Sequence, residues 1–163
     1  MVWTRADVWL WCFLTRLCQS GLVTADSEGK INFWSVGNLR EAVESLRIDG
    51  GNVSSMAIAP ESNGLLCGDE SGSVFALTGS GGGKRSKRTV RRLAGGHFGM
   101  VTSVSTKKAD RAGMARGFLR GAGGLVLSSG VDWTVQLWAP AYKDKPLLSF
   151  VNHSYDYMCD VQW

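Results

Sequence analysis

Short runs in which apolar and polar residues alternate, divided by glycine-bearing turns, recur along this chain. Three of them share one shape: Leu22-Val-Thr-Ala-Asp-Ser-Glu-Gly-Lys-Ile-Asn-Phe-Trp34, Leu65-Leu-Cys-Gly-Asp-Glu-Ser-Gly-Ser-Val-Phe-Ala-Leu77 and Val126-Leu-Ser-Ser-Gly-Val-Asp-Trp-Thr-Val-Gln-Leu-Trp138. Each reads as two strands around a tight turn, because alternation with β-branched residues suits a half-buried strand. The pattern predicts strands near 21–25, 30–35 and 43–48, then 52–58, 64–68, 72–78 and 88–93, then 100–106, 124–129, 133–138 and 147–151. A further strand is expected near Asp7–Phe13, and Tyr157–Trp163 reads as the opening strand of another unit.

The copies form a repeat. Gly29 and Gly72 hold one turn position 43 residues apart, and Trp133 holds it 61 residues after Gly72. A period of roughly 40–45 residues with four strands per unit is the spacing of propeller blades. The fold class is therefore all-β, a propeller segment of about three four-stranded blades plus the first strand of another. A small residue sits on the first strand of each copy (Thr24, Cys67, Ser128), and Glu28, Ser71 or Asp132 precedes the turn position. A carboxylate there accepts backbone N–H bonds and holds the turn. A closed propeller takes at least four blades, so the chain is expected to be a fragment, with 1–20 unassigned and 21–163 a partial propeller.

The third copy is the fullest. Gly96-His97 precedes it, and Trp138 closes its second strand. This resembles the WD-repeat propellers, in which a His, a strand Ser or Thr, a turn Asp and a strand Trp form a buried hydrogen-bonded chain. The resemblance assigns those structural roles to His97, Ser128, Asp132 and Trp138. Three of these are also the residue types of a catalytic triad. The repeat accounts for all three, however, and Trp138 has no part in a triad.

A more specific resemblance follows from three segments taken together: Ser129-Gly-Val-Asp-Trp-Thr-Val-Gln-Leu-Trp138, Lys145-Pro-Leu-Leu-Ser-Phe150 and Asp156-Tyr-Met-Cys-Asp-Val-Gln-Trp163. In order and spacing they resemble the carboxyl-terminal WD propeller of cytoplasmic dynein intermediate chains. Thr24–Ile31, Asp69–Val74 and Gly96–Thr102 look like the same family. The resemblance implies a non-catalytic scaffold that docks on the dynein heavy chain and, through its parent, on other dynein subunits. It implies a place in the cytoplasm on microtubules. Residues 1–20 match nothing in that family, the region that binds light chains and dynactin is absent, and the 107–124 loop is longer and richer in Arg and Gly. Candidate contacts are Trp133, which stands where the other copies have glycine, and Tyr142 and Lys143 in the following loop.

Charge adds a second reading. The net charge is +4, yet the segment 84–92 alone carries six positive charges, so the remainder is slightly acidic. Lys84, Arg85, Lys87 and Arg88 are candidate contacts for an acidic partner, the mark of a generic WD adaptor. No aromatic platform interleaves them, which argues against nucleic acid. A solvated loop running into an edge strand is the first reading of them, ahead of a partner contact, since edge charge discourages strand pairing. Gly79–Arg85 is no phosphate loop, because Arg rather than Ser or Thr follows Lys84 and the glycine spacing is wrong. No cofactor, metal or small-molecule substrate is expected. The four cysteines form no Cys-x-x-Cys pair, and His97 and His153 are not at ligand spacing from them. The apolar run Val8–Leu14 is too short to span a bilayer, and Asp7 stands where a signal peptide needs positive charge.

Overall fold

A computed structural model of the chain describes residues 11–13, 21–59, 64–79, 88–107, 124–140, 144–151 and 161–162. Twelve strands are found among them, in chain order β1 (Trp11–Phe13), β2 (Gly21–Ala25), β3 (Lys30–Ser35), β4 (Glu44–Arg47), β5 (Val53–Ala59), β6 (Gly64–Asp69), β7 (Val74–Thr78), β8 (Thr89–Arg92), β9 (Val101–Lys107), β10 (Leu125–Gly130), β11 (Thr134–Trp138) and β12 (Leu148–Val151). They make three four-stranded antiparallel sheets, β1–β4, β5–β8 and β9–β12, each in simple sequence order. Each sheet is one blade.

Most of the expected strands lie within a residue or two of the observed ones. The first blade, read from the repeat as three strands, gains its fourth from β1, which pairs Trp11 with Ala25 and Phe13 with Val23. The expected strand at Tyr157–Trp163 lies outside the described residues except for Val161 and Gln162, to which no strand is assigned.

Strand alternation explains how the blades stack. Side chains two apart share a face of a sheet. In the middle blade, Leu65 and Cys67 of β6 and Phe75 and Leu77 of β7 pack with Val23, Ile31 and Phe33 of the first blade. Their alternate neighbours Leu66, Val74 and Ala76 pack with Val101, Val104, Val126 and Trp138 of the third. β6 is consequently buried along its whole length, whereas β8 and β12 are exposed throughout. A single sheet has two faces to cover, so no blade buries its apolar residues alone. The first strands of the second and third blades are also stitched by side chains. Ser54 Oγ donates to the Val101 carbonyl at 2.6 Å, and Val104 N–H donates to Ser55 Oγ at 2.9 Å.

The outer edge of the middle blade joins its neighbours on both sides. Arg88, just ahead of β8, donates its backbone N–H to Glu44 Oε1 at 3.0 Å and its guanidinium to Glu44 Oε2. The same guanidinium lies 3.9 Å from the centre of the Phe33 ring. On the other side Arg91 binds Asp144 Oδ1 and the Pro140 carbonyl, each at 2.6 Å.

Candidate functional site: the turn and rim of the third blade

The four residues singled out for the third blade meet in one chain of hydrogen bonds. Trp138 Nε1 lies 2.8 Å from Ser128 Oγ, Ser128 Oγ lies 2.8 Å from His97 Nε2, and His97 Nδ1 lies 3.0 Å from Asp132 Oδ1. The direction follows from donor inventory. An indole N–H only donates and an ionised carboxylate only accepts. Trp138 therefore donates to Ser128, the Ser128 hydroxyl donates to Nε2, and Nδ1–H donates to Asp132. The imidazole is thereby assigned as the Nδ1–H tautomer. Every link is satisfied, which lets a polar chain persist where Ser128 and Trp138 have no exposed surface.

Thr134 belongs to the same network, although the repeat did not single it out. Its Oγ1 donates to Asp132 Oδ1 at 2.8 Å and sits 2.9 Å from His97 Nδ1. Asp132 also accepts the backbone N–H of Thr134 at 3.1 Å and that of Phe98 at 2.8 Å. Burial by itself pushes the Asp132 carboxyl up. The hydrogen bonds from Phe98, Thr134 and His97, with the electrostatic pull of His97, outweigh it and hold the carboxyl below its ordinary range. Gly130 makes the arrangement possible: a Cβ there would stand 2.6 Å from His97 Nδ1 and 2.7 Å from Asp132 Oδ1.

The first two blades fasten the same turn differently. In the first, Asp26 rather than Glu28 is the holding carboxylate, its Oδ1 accepting Glu28 N–H and Lys30 N–H at 2.9 Å each. The Glu28 side chain is exposed and lies 3.9 Å from Arg47. In the second, fully buried Asp69 accepts Ser73 N–H at 2.7 Å and the Ser71 hydroxyl at 2.8 Å. Asp26 and Asp69 stand three residues before Gly29 and Gly72, at the position Gly130 holds in the third copy. That shared offset is a turn signature that was present in the sequence. The strand pairing recurs as well. Trp34 Nε1 donates to Thr24 Oγ1 at 2.9 Å, the same diagonal as Trp138 to Ser128. Cys67 and Leu77 hold those places in the second blade without a polar link. Burial pushes the Cys67 thiol well above its usual range.

The trio His97, Ser128 and Asp132 has the hydrogen-bond order of a triad, but it is closed to any substrate. Ser128 has no exposed surface, and its oxygen is engaged by both Trp138 and His97. Trp133 is exposed at 42% and holds φ 61°, where Gly29 and Gly72 hold φ 74° and 88°. A bulky residue in that left-handed region is uncommon and strained. Phe98, in the loop leading into the blade, is 99% exposed. Arg88 turns inward onto Glu44 and Phe33 and is no free cation. Tyr142, Lys143, Lys84, Arg85 and Lys87 lie outside the described residues.

No family model matches the chain. A chain in a structure described as "Crystal Structure of Mitotic Checkpoint Complex" superposes with a TM-score of 0.71 over 98% of this chain and 42% of its own length, at 18% identity. That likeness concerns the fold. With three stacked four-stranded sheets and the His97–Ser128–Asp132–Trp138 chain, it defines a segment of WD-type β-propeller. The cytoplasmic dynein 1 intermediate chain of Drosophila melanogaster is 34% identical over 149 residues, covering 87% of this chain and 20% of that protein. The chain is a partial relative of the cytoplasmic dynein intermediate chain, spanning about a fifth of its length.

Proposed function

We propose that this sequence is the propeller part of a non-catalytic subunit of a cytoplasmic dynein complex, docking on the dynein heavy chain and serving microtubule-based movement in the cytoplasm. The observation that carries the reading is the 34% identity to a dynein intermediate chain across 87% of the sequence. The physics supports a scaffold role, since blades stapled to one another present preformed loops and lower the entropy cost of docking. Trp133 is the proposed anchor: a large aromatic held exposed in a strained turn gains little from folding and suits a partner's pocket. Other dynein subunits are partners at one remove.

The test is co-purification of the protein carrying this sequence with the heavy-chain tail at near-physiological salt. Association is expected, and Trp133→Gly is expected to weaken it while leaving the melting temperature unchanged or slightly raised. Absence of any heavy-chain association by the wild-type protein defeats the reading and leaves a generic WD adaptor for an acidic partner.

A further inference from the structure

Three large apolar side chains reach solvent together at one rim of the third blade. Phe98 is 99% exposed, Trp133 42% and Met100 38%. The loop that carries Phe98 and Met100 lies along the turn that carries Trp133. Val131 N–H donates to the Met100 carbonyl at 3.0 Å, and Phe98 N–H donates to Asp132 Oδ2 at 2.8 Å. Asp132 thus adjoins both aromatic residues, one through its carboxylate and the other along the chain. Its Oδ1 takes the bonds from His97 and Thr134, whereas among the described residues Oδ2 takes only that of Phe98. Oδ2 therefore keeps accepting capacity.

The charge around these rings is negative. The second-blade turn closes on the same loop, since a Cβ on Gly72 would stand 2.7 Å from the Gly99 carbonyl oxygen. The three segments that build the rim, 69–73, 96–100 and 130–134, hold Asp69, Glu70 and Asp132 and no Lys or Arg. Arg92 pairs with Phe75 and shares its face, toward the first blade. The molecule already shows what a ring and a carboxylate do together: Phe33 and Glu44 capture the Arg88 guanidinium. At the rim the same two kinds of group stand open. No guanidinium among the described residues is paired with Asp132 or laid on either ring. We propose that the Phe98–Asp132–Trp133 rim binds an arginine side chain of a partner protein, its guanidinium stacked on an aromatic ring and directed to Asp132 Oδ2. Arginine fits better than lysine, because its planar, weakly hydrated cation stacks on rings. The inference rests on the reading of Trp133 as a contact and names the chemistry that contact takes. The identity of the partner does not enter it.

The experiment is fluorescence anisotropy of the full chain with a labelled peptide of alternating Arg and Gly. Lys/Gly and Glu/Gly peptides of the same length serve as comparisons. The chain carries +4 overall, so its net charge repels a cationic peptide and binding reports a local site. Saturable binding of the Arg/Gly peptide is expected, tighter than that of the Lys/Gly peptide. It should weaken about fivefold or more with Phe98→Ala and with Trp133→Gly. Both side chains are exposed, so these variants should stay folded. Asp132→Asn keeps an oxygen for Phe98 N–H but removes the charge, and should weaken binding too. Phe150→Ala removes an exposed ring on β12 and should change nothing. The proposal is overturned by absence of saturation up to roughly millimolar peptide, by a Lys/Gly or Glu/Gly peptide that binds as tightly, or by binding that survives both ring variants. Peptide binding by a protein that never associates with a heavy chain defeats the heavy-chain reading and upholds this one. Heavy-chain association without peptide binding does the reverse.

Discussion

Arg88 on the edge of the second blade is clasped to Glu44 on the edge of the first, two side chains 44 residues apart that are 15% and 19% exposed. The clasp also lays the guanidinium on Phe33, whose ring is part of the apolar seam between those blades. It joins an ion pair, a backbone hydrogen bond and a cation–π contact at one point. Arg88→Ala and Glu44→Ala should each lower stability by on the order of 1–3 kcal/mol. In a double-mutant cycle the pair should lose less than the sum, because each single change leaves the other group half-buried without its partner. Denaturant melts of the four proteins measure this.

The polar chain of the third blade should behave as one unit. Asp132→Ala removes the acceptor for His97, Phe98 and Thr134, and is expected to cost on the order of 1–3 kcal/mol. His97→Ala breaks the same chain one link away and strands Ser128. The double variant should therefore cost less than the two single costs added. Strict additivity in chemical melts would count against a shared network.

Acid should loosen the same turn. The folded-state pKa of Asp132 is lowered, so the native protein binds its proton less readily than the unfolded chain does. Its contribution to stability is whole above the ordinary carboxylate value of about 3.9 and is lost as pH falls through the lowered folded value. Comparing the pH dependence of stability in wild type and Asp132→Asn should reveal a component, present only in wild type, that disappears in that acid window.

Cys67 should resist thiol reagents. It is fully buried between the first two blades, and that burial disfavours its thiolate, the reactive form. Peptide mapping after a pulse of alkylating reagent should find Cys67 unmodified in native buffer and modified once denaturant crosses the unfolding midpoint. Prompt labelling under native conditions would mean that the seam between these blades opens.

The outer strand of the third blade invites association. Leu148, Phe150 and Val151 on β12 are each more than half exposed, and β12 ends its sheet. An exposed apolar edge strand pairs readily with another chain. Sedimentation of the isolated chain should show self-association rising with concentration, and Phe150→Lys should reduce it. A concentration-independent monomer would contradict this.

The sequence by itself determined the blades. Alternation, β-branched residues and a turn at a fixed offset are local properties, so most strand positions and the repeat were legible, as were His97, Ser128, Asp132 and Trp138 as one set. Two local signals went unread: the Asp26 and Asp69 offset before glycine, which holds the first two turns, and Thr134 inside the third. What only the tertiary structure decided lies between blades. Arg88 and Arg91 are the same residue type on one basic edge, yet Arg88 is captured by a carboxylate and a ring from the first blade while Arg91 is held by Asp144 and the Pro140 carbonyl of the third. No local pattern separates them, because the groups that distinguish them are brought near by stacking of sheets distant in sequence.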